Sequence, residues 1–166
     1  MFFPDQPKGL GEHFTAWKFN YVGEVFGNLS GGIRQGAIYE GYAKIGLALN
    51  LEKMVGWKNT VFYVNLLYPH GTGLTQGYVG DLSTVSNIDT YDSLRIFKLF
   101  LQTNCFDDRL TFRLGIQAVD KDFFSSEGAA LFLNSGFGAF PVIGQDLAAP
   151  IYPVSAPGLR LTWSPT

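Results

Sequence analysis

Between Arg109 and Ala118 the chain changes chemistry at every residue. Leu110, Phe112, Leu114, Ile116 and Ala118 hold one parity, and Arg109, Thr111, Arg113, Gly115 and Gln117 hold the other. A period of two belongs to an extended strand with two unlike faces, because successive side chains leave a strand on opposite sides. The polar turn Phe106-Asp107-Asp108 joins this strand to the apolar run before it, so the pair reads as a β-hairpin. One face is hydrocarbon over five positions, while the other carries two arginines. Any fold for this chain must satisfy both faces at once.

The same alternation recurs along the sequence. Thr15 to Asn28 sets Trp17, Phe19, Tyr21, Gly23 and Val25 against Lys18, Asn20, Val22, Glu24 and Phe26. Arg34 to Leu49 sets Ala37, Tyr39, Gly41, Ala43, Ile45, Leu47 and Leu49 against Arg34, Ile38, Glu40, Tyr42 and Lys44. Asn59 to Tyr68 carries no charge, and Asn65 favours a polar side holding Tyr63 and Asn65. Leu94 to Thr103 is ambiguous. Lys98 and Gln102 share one parity and Arg95 has the other, so Lys98 is assigned to the polar side and Arg95 to the strand's end. Leu159 to Trp163 opens a sixth strand with Arg160 and Thr162 on its polar side. Short helical turns are expected at Leu51–Trp57 and near Glu127–Leu133. Residues 1–13 read as an irregular lead-in to a single all-β domain over 14–166.

Two architectures accept such strands. In a soluble sandwich the apolar faces pack together and the charged faces meet water. In a transmembrane barrel the apolar faces meet lipid and the charged faces line a wet interior. Three features favour the barrel. The strands run to about 10–16 residues, beyond the usual 5–6 and long enough to cross a bilayer at about 9–11. The two long connections, 69–93 and 119–157, fall on one side by parity, and the Phe106–Asp108 turn falls on the other with Thr15 and Thr166, as in barrels with short periplasmic turns. Trp17, Trp57, Tyr68 and Trp163 flank strands where interfacial aromatics belong. Composition agrees: 46% of residues are hydrophobic, only 16% are charged and 20 are glycine, whereas soluble domains carry roughly 25% charge. The net charge of −2 gives no reason to expect a nucleic-acid partner. There is no run of about 18 apolar residues for a membrane-crossing helix. No basic-plus-apolar export segment precedes the first strand, so any such signal is expected to be missing, removed or never present.

Several separated segments also resemble one family. GGIRQGAIYEGYAKIGLALNLEKMVGWKN, HGTGLTQGYVGDLSTVSNI, DDRLTFRLGIQAVDKDFF, ALFLNSGFG and YPVSAPGLRLTW, in this order from Gly31 to Trp163, are similar to the N-terminal part of the bacterial carbohydrate-selective porins of the OprB type. The resemblance implies an antiparallel transmembrane β-barrel of sixteen strands in the outer membrane, of which about six lie here. It also implies diffusion of small carbohydrates through a narrow charged eyelet. Outer-membrane lipid is then a partner. The remaining strands, or other copies of the chain, are needed for closure, because single-chain barrels have at least eight strands and an open edge in lipid leaves backbone groups unpaired. A fragment of a longer porin is the expectation. The alternatives are a soluble all-β module that binds a ligand with its two long loops, and a truncated, non-functional porin remnant.

If the polar face lines a pore, Lys18, Glu24, Arg34, Glu40, Lys44, Lys98, Arg113, Gln117 and Arg160 point at water and solute. Arg and Lys donate to sugar hydroxyls, Glu and Gln accept from them, and the rings of Tyr42 and Tyr63 offer stacking faces for sugar C–H groups. A mixed ladder of Glu40, Lys44 and Arg113 suits a neutral polyol better than an ion-selective ring. The same charges could instead serve only to satisfy one another. Other features promise less. His13 and His70 lack ligand spacing. Asp120-Lys121-Asp122 reads as a solvated loop and Asp107-Asp108 as turn chemistry. The single Cys105 reads as inert and permits no internal disulfide or cysteine cluster. Gly71-Thr72-Gly73 lacks the strand-to-helix switch of a phosphate cradle, and no nucleophile elbow or metal motif is present. No enzymatic activity, metal or cofactor is expected.

Overall fold

The computed structural model describes residues 14–165 apart from 125, 127, 138–142 and 144–146. The lead-in expected over 1–13 lies outside the described residues. Six strands form one antiparallel sheet in strict sequence order: β1 (Thr15–Asn28), β2 (Gly36–Asn50), β3 (Thr60–Gly71), β4 (Arg95–Cys105), β5 (Leu110–Gln117) and β6 (Ala156–Trp163). Each strand therefore pairs with its neighbours in sequence, and β1 and β6 are the sheet's edges.

The alternation decides which face is which. On the outer, apolar side Trp17 is 76% exposed and Leu114 63%, and Leu159, Leu161 and Trp163 are exposed as well. On the polar side Arg113, Lys98 and Asn65 are each 1% exposed. A soluble sandwich would show the reverse, since transferring hydrocarbon out of water stabilises a fold by roughly 25 cal/mol per Å². The sheet is inside out, as a lipid-facing wall requires.

The connections sort by end. The described residues of the connections 29–35, 72–94 and 118–155 meet at one end, where Ile33 and Arg34 N–H donate to the Tyr78 carbonyl (2.7 and 3.1 Å) and Asn87 N–H donates to the Leu133 carbonyl (2.7 Å). The two short connections meet at the other end, where Asn104 N–H donates to the Asn59 carbonyl (3.1 Å). One of them holds α1 (Leu51–Val55), N-capped by the Asn50 side chain and ended by Gly56 at φ 78°, as the sequence suggests. The other is the Phe106–Arg109 turn, in which Phe106, Asp107 and Asp108 all have positive φ; Asn104 Nδ2 donates to Asp108 Oδ1 (2.9 Å) and steadies it. A one-turn 3-10 segment forms at Ala129–Leu131, within the expected helical region. A short helix, α2 (Asp120–Phe123), follows β5 directly.

Several strand boundaries differ from the sequence reading, including the end of β4, which reaches Cys105 and not Thr103. β2 starts at Gly36, not Arg34. β3 runs past Pro69 to Gly71. This is allowed because pairing to β4 ends at Leu67–Arg95, so the proline needs no ladder donor on that side. β6 starts at Ala156 rather than Leu159, and its Pro157 is tolerated on a strand paired along one side only.

The fourth strand carries the main correction. Asn65 pairs with Lys98 and the next residue, Leu66, pairs with Ile96, so Phe97 is an extra residue in a β-bulge. The bulge resets the parity. Arg95 pairs with Leu67 and joins Lys98 on the polar side, instead of standing on the opposite face. Phe97 turns inward too, and packs with Leu67, Ala118, Tyr42 and Tyr152 in a small apolar cluster near the loop end.

A candidate pore-lining face

The polar face is built by strand register. In β1 and β2, Lys18 lies opposite Gly46, Asn20 opposite Lys44, Val22 opposite Tyr42 and Glu24 opposite Glu40. Farther along the sheet Asn65 pairs with Lys98, Tyr63 with Phe100, Gln102 with Arg113, and Arg113 with Arg160. Gln117 pairs with Ala156 on the same side. Ten of the eleven residues singled out from the sequence share this face. The exception is Arg34, which precedes β2 and lays its guanidinium over the Tyr78 ring at 4.2 Å, in contact between two connections.

Charge is arranged across strands in a way the alternation does not reveal. Along β2 the signs mix, with Glu40 and Lys44 two pleat repeats apart and Tyr42 between them. Across strands like faces like: Glu24 opposes Glu40, and Arg113 opposes Arg160. Like charges directly opposite each other destabilise a sheet. Each pair is met by a residue from a long connection. Ser86, 1% exposed, donates from its hydroxyl to Glu24 Oε2 at 2.5 Å. Asp122, from the turn after β5, places Oδ2 3.3 Å from Arg113 Nη1 and in contact with Arg160 Nη1. The Asp120–Asp122 segment is thus folded onto the polar face, and is not a solvated loop.

The guanidinium of Arg113 is fixed on its other edge. Nε and Nη2 both donate to Gln102 Oε1, at 3.0 and 2.8 Å, and the plane lies 4.4 Å over the Phe100 ring. Phe100 in turn packs against Tyr63, centroids 5.1 Å apart, and Tyr63 itself lies over Gly46, where a Cβ would come within 2.9 Å of its hydroxyl. Lys98 holds its ammonium 5.7 Å from the Phe97 ring. Tyr42 packs edge-on against Tyr152 of the second long connection. The Tyr152 hydroxyl donates to the Ile88 carbonyl (3.0 Å), and burial pushes its phenol above the ordinary range. Arg95 donates from Nη1 to the Pro153 carbonyl (3.0 Å). Both long connections therefore fold over the polar face and brace each other there.

Sequence reasoning did not single out Gln102, Asp122, Ser86, Tyr152 or Arg95 as site residues. Gln102 was legible as a polar-parity residue. Arg95 was hidden by the bulge, and the loop residues left no periodic trace. Among the described residues no group of three or more His, Cys, Asp and Glu could hold a metal.

A long-stranded antiparallel meander with an apolar outer face and an ionic inner one, its long connections gathered at one end, is a segment of porin-type barrel wall. Residues 34–166 match the model of the carbohydrate-selective porin, OprB family, and the chain belongs to that family. Porin B of Pseudomonas aeruginosa is 30% identical over 118 residues, covering 66% of this chain and 26% of that protein. The high-pH structure of Pseudomonas putida OprB superposes with a TM-score of 0.80 at 25% identity, over 95% of this chain and 39% of that one. Its low-pH structure gives 0.53 at 22% identity, over 70% and 37%. The chain thus spans about a quarter of the curated relative's length.

Proposed function

We propose that this chain forms part of an outer-membrane porin wall past which small carbohydrates diffuse. The observation that carries the reading is the inverted sheet: hydrocarbon outward at Leu114, Leu159 and Trp163, and ionic groups inward at Lys98 and Arg113. Lipid satisfies the first face, and the barrel interior, with the long connections folded into it, satisfies the second. The edges β1 and β6 then need further strands or other copies of the chain to close the barrel.

Within this reading Lys18, Glu24, Glu40, Lys44, Lys98, Arg113, Gln117 and Arg160 line the channel. Acceptors cluster at Glu24 and Glu40 and donors at Lys98, Arg113 and Arg160, and sugar hydroxyls, which both donate and accept, can exchange water contacts for protein contacts with either group. Tyr42 and Tyr63 present ring faces beside these groups for sugar C–H stacking. Arg34, exposed at the loop end with its guanidinium over the Tyr78 ring, stands at the channel mouth in this reading. Liposome swelling with glucose tests the assignment in the native protein. Arg113→Ala combined with Glu40→Ala is expected to change both the swelling rate and the preference among sugars, and an unchanged profile refutes a channel role for the two residues.

A further inference from the structure

Two guanidiniums on adjacent strands at directly paired positions are an uncommon arrangement. Arg113 and Arg160 stand opposite each other in the β5–β6 register. Gln102 holds one edge of Arg113, at 3.0 and 2.8 Å, and Nη1 on the other side donates to Asp122 Oδ2 at 3.3 Å. The cleft so formed is built to take a carboxylate, since planar guanidiniums bind that group with several charge-assisted hydrogen bonds. In this structure the carboxylate is the chain's own. Asp122 reaches both arginines from the turn after β5 and remains 17% exposed, so water and solute can reach it. A cavity of about 220 Å³ adjoins it at the open β6 edge, lined by Gln117, Asp122, Phe123 and Arg160 together with the outward-facing Leu159 and Leu161.

We propose that Asp122 is a tethered counter-ion that occupies a two-arginine carboxylate site and thereby sets discrimination between neutral and acidic sugars. The proposal rests on the channel reading above. With Asp122 in place the pair carries one net positive charge rather than two, and its best donors are engaged. A neutral sugar passes the pair without disturbing this arrangement. A sugar carboxylate, such as a uronate, must displace Asp122 to bind, and the loss of that ion pair offsets its gain. The segment carrying Asp122 is a short helix on a long connection rather than a strand, so it can yield without breaking the sheet.

The test compares glucuronate with glucose in liposomes carrying the native protein, its Asp122→Asn variant and its Asp122→Glu variant. The Asn variant is expected to raise the glucuronate-to-glucose rate ratio about threefold or more and to shift the zero-current potential in a KCl gradient toward chloride. The Glu variant should stay near the native ratio. A second readout needs no conduction: phenylglyoxal labelling of Arg113 and Arg160, mapped by mass spectrometry. Labelling should be faster in the Asn variant and slowed again by glucuronate. In the native protein, high glucuronate should alter labelling by competing with Asp122, which decides the matter even if the Asn variant does not assemble. An Asn variant with native selectivity and native labelling overturns the proposal, as does native labelling indifferent to glucuronate when the variant is absent. Native protein that passes no sugar refutes the channel reading instead, and the labelling arm still judges the site.

Discussion

Arginine placed at Leu114 gives a sharp test of the inverted sheet. Leu114 is the fifth residue of β5, pairs with Leu101 on one side and Leu159 on the other, and is 63% exposed. Four residues separate it from Leu110 beside the short turn, about 14 Å at ~3.4 Å per residue. With strands tilted by about 40° this is ~10 Å along the bilayer normal, near the middle of an apolar band roughly 25 Å tall. An arginine there costs about 2–4 kcal/mol on a lipid-facing barrel surface, or roughly 30- to 900-fold in the folding equilibrium at ~1.36 kcal/mol per decade. The same change on a water-exposed strand costs within about 0.5 kcal/mol. Depth supplies a control within the same strand. Phe112→Arg should cost less than Leu114→Arg, and Leu110→Arg, near the interface, about 0–1 kcal/mol. Denaturant titration of the native protein in lipid vesicles measures all three. A flat series, with Leu114→Arg within 0.5 kcal/mol of wild type, would mean that this face meets water and that the membrane argument is wrong.

Two further outcomes follow from local geometry. Gly115 has φ 143°, and a Cβ there would lie 2.2 Å from the Leu99 carbonyl oxygen. Gly115→Ala should therefore destabilise the protein by about 2 kcal/mol or more, read as a lower unfolding midpoint, because backbone must move to make room. Ser86→Ala removes the hydroxyl that donates to Glu24, the carboxylate opposed to Glu40. Limited proteolysis should then cut the 72–94 connection several-fold faster, with the strands still protected, and unchanged cutting would show that the hydrogen bond does not hold the loop.

Most of the sheet could be read from the sequence because one physical rule governs its strands. The period of two is local and needs no partner to be visible, so the faces of β1, β2, β5 and β6 follow from the alternation of residues such as Trp17 with Lys18 and Leu114 with Arg113. The rule fails where the backbone adds a residue. Lys98 and Arg95 are three apart and must differ in parity on a regular strand, yet Phe97 bulges out of register and both end on one face. Nothing in Arg95-Ile96-Phe97-Lys98 announces this, since a bulge answers to the pairing of two strands rather than to one. The site fails in sequence for a related reason. Opposed like charges at Glu24–Glu40 and Arg113–Arg160 are properties of register, which depends on connection lengths and not on alternation. Their relief by Ser86 and Asp122 is a property of loops with no periodicity at all. Yet the two are linked. A sheet that sets like charges against each other is stable only if something polar is folded over them, so the register that hides the pairs from sequence reasoning also requires the long connections to turn inward. The inward loops are therefore a consequence of the charge pattern and no ornament to it, and cutting either bridge should loosen a loop before it loosens a strand.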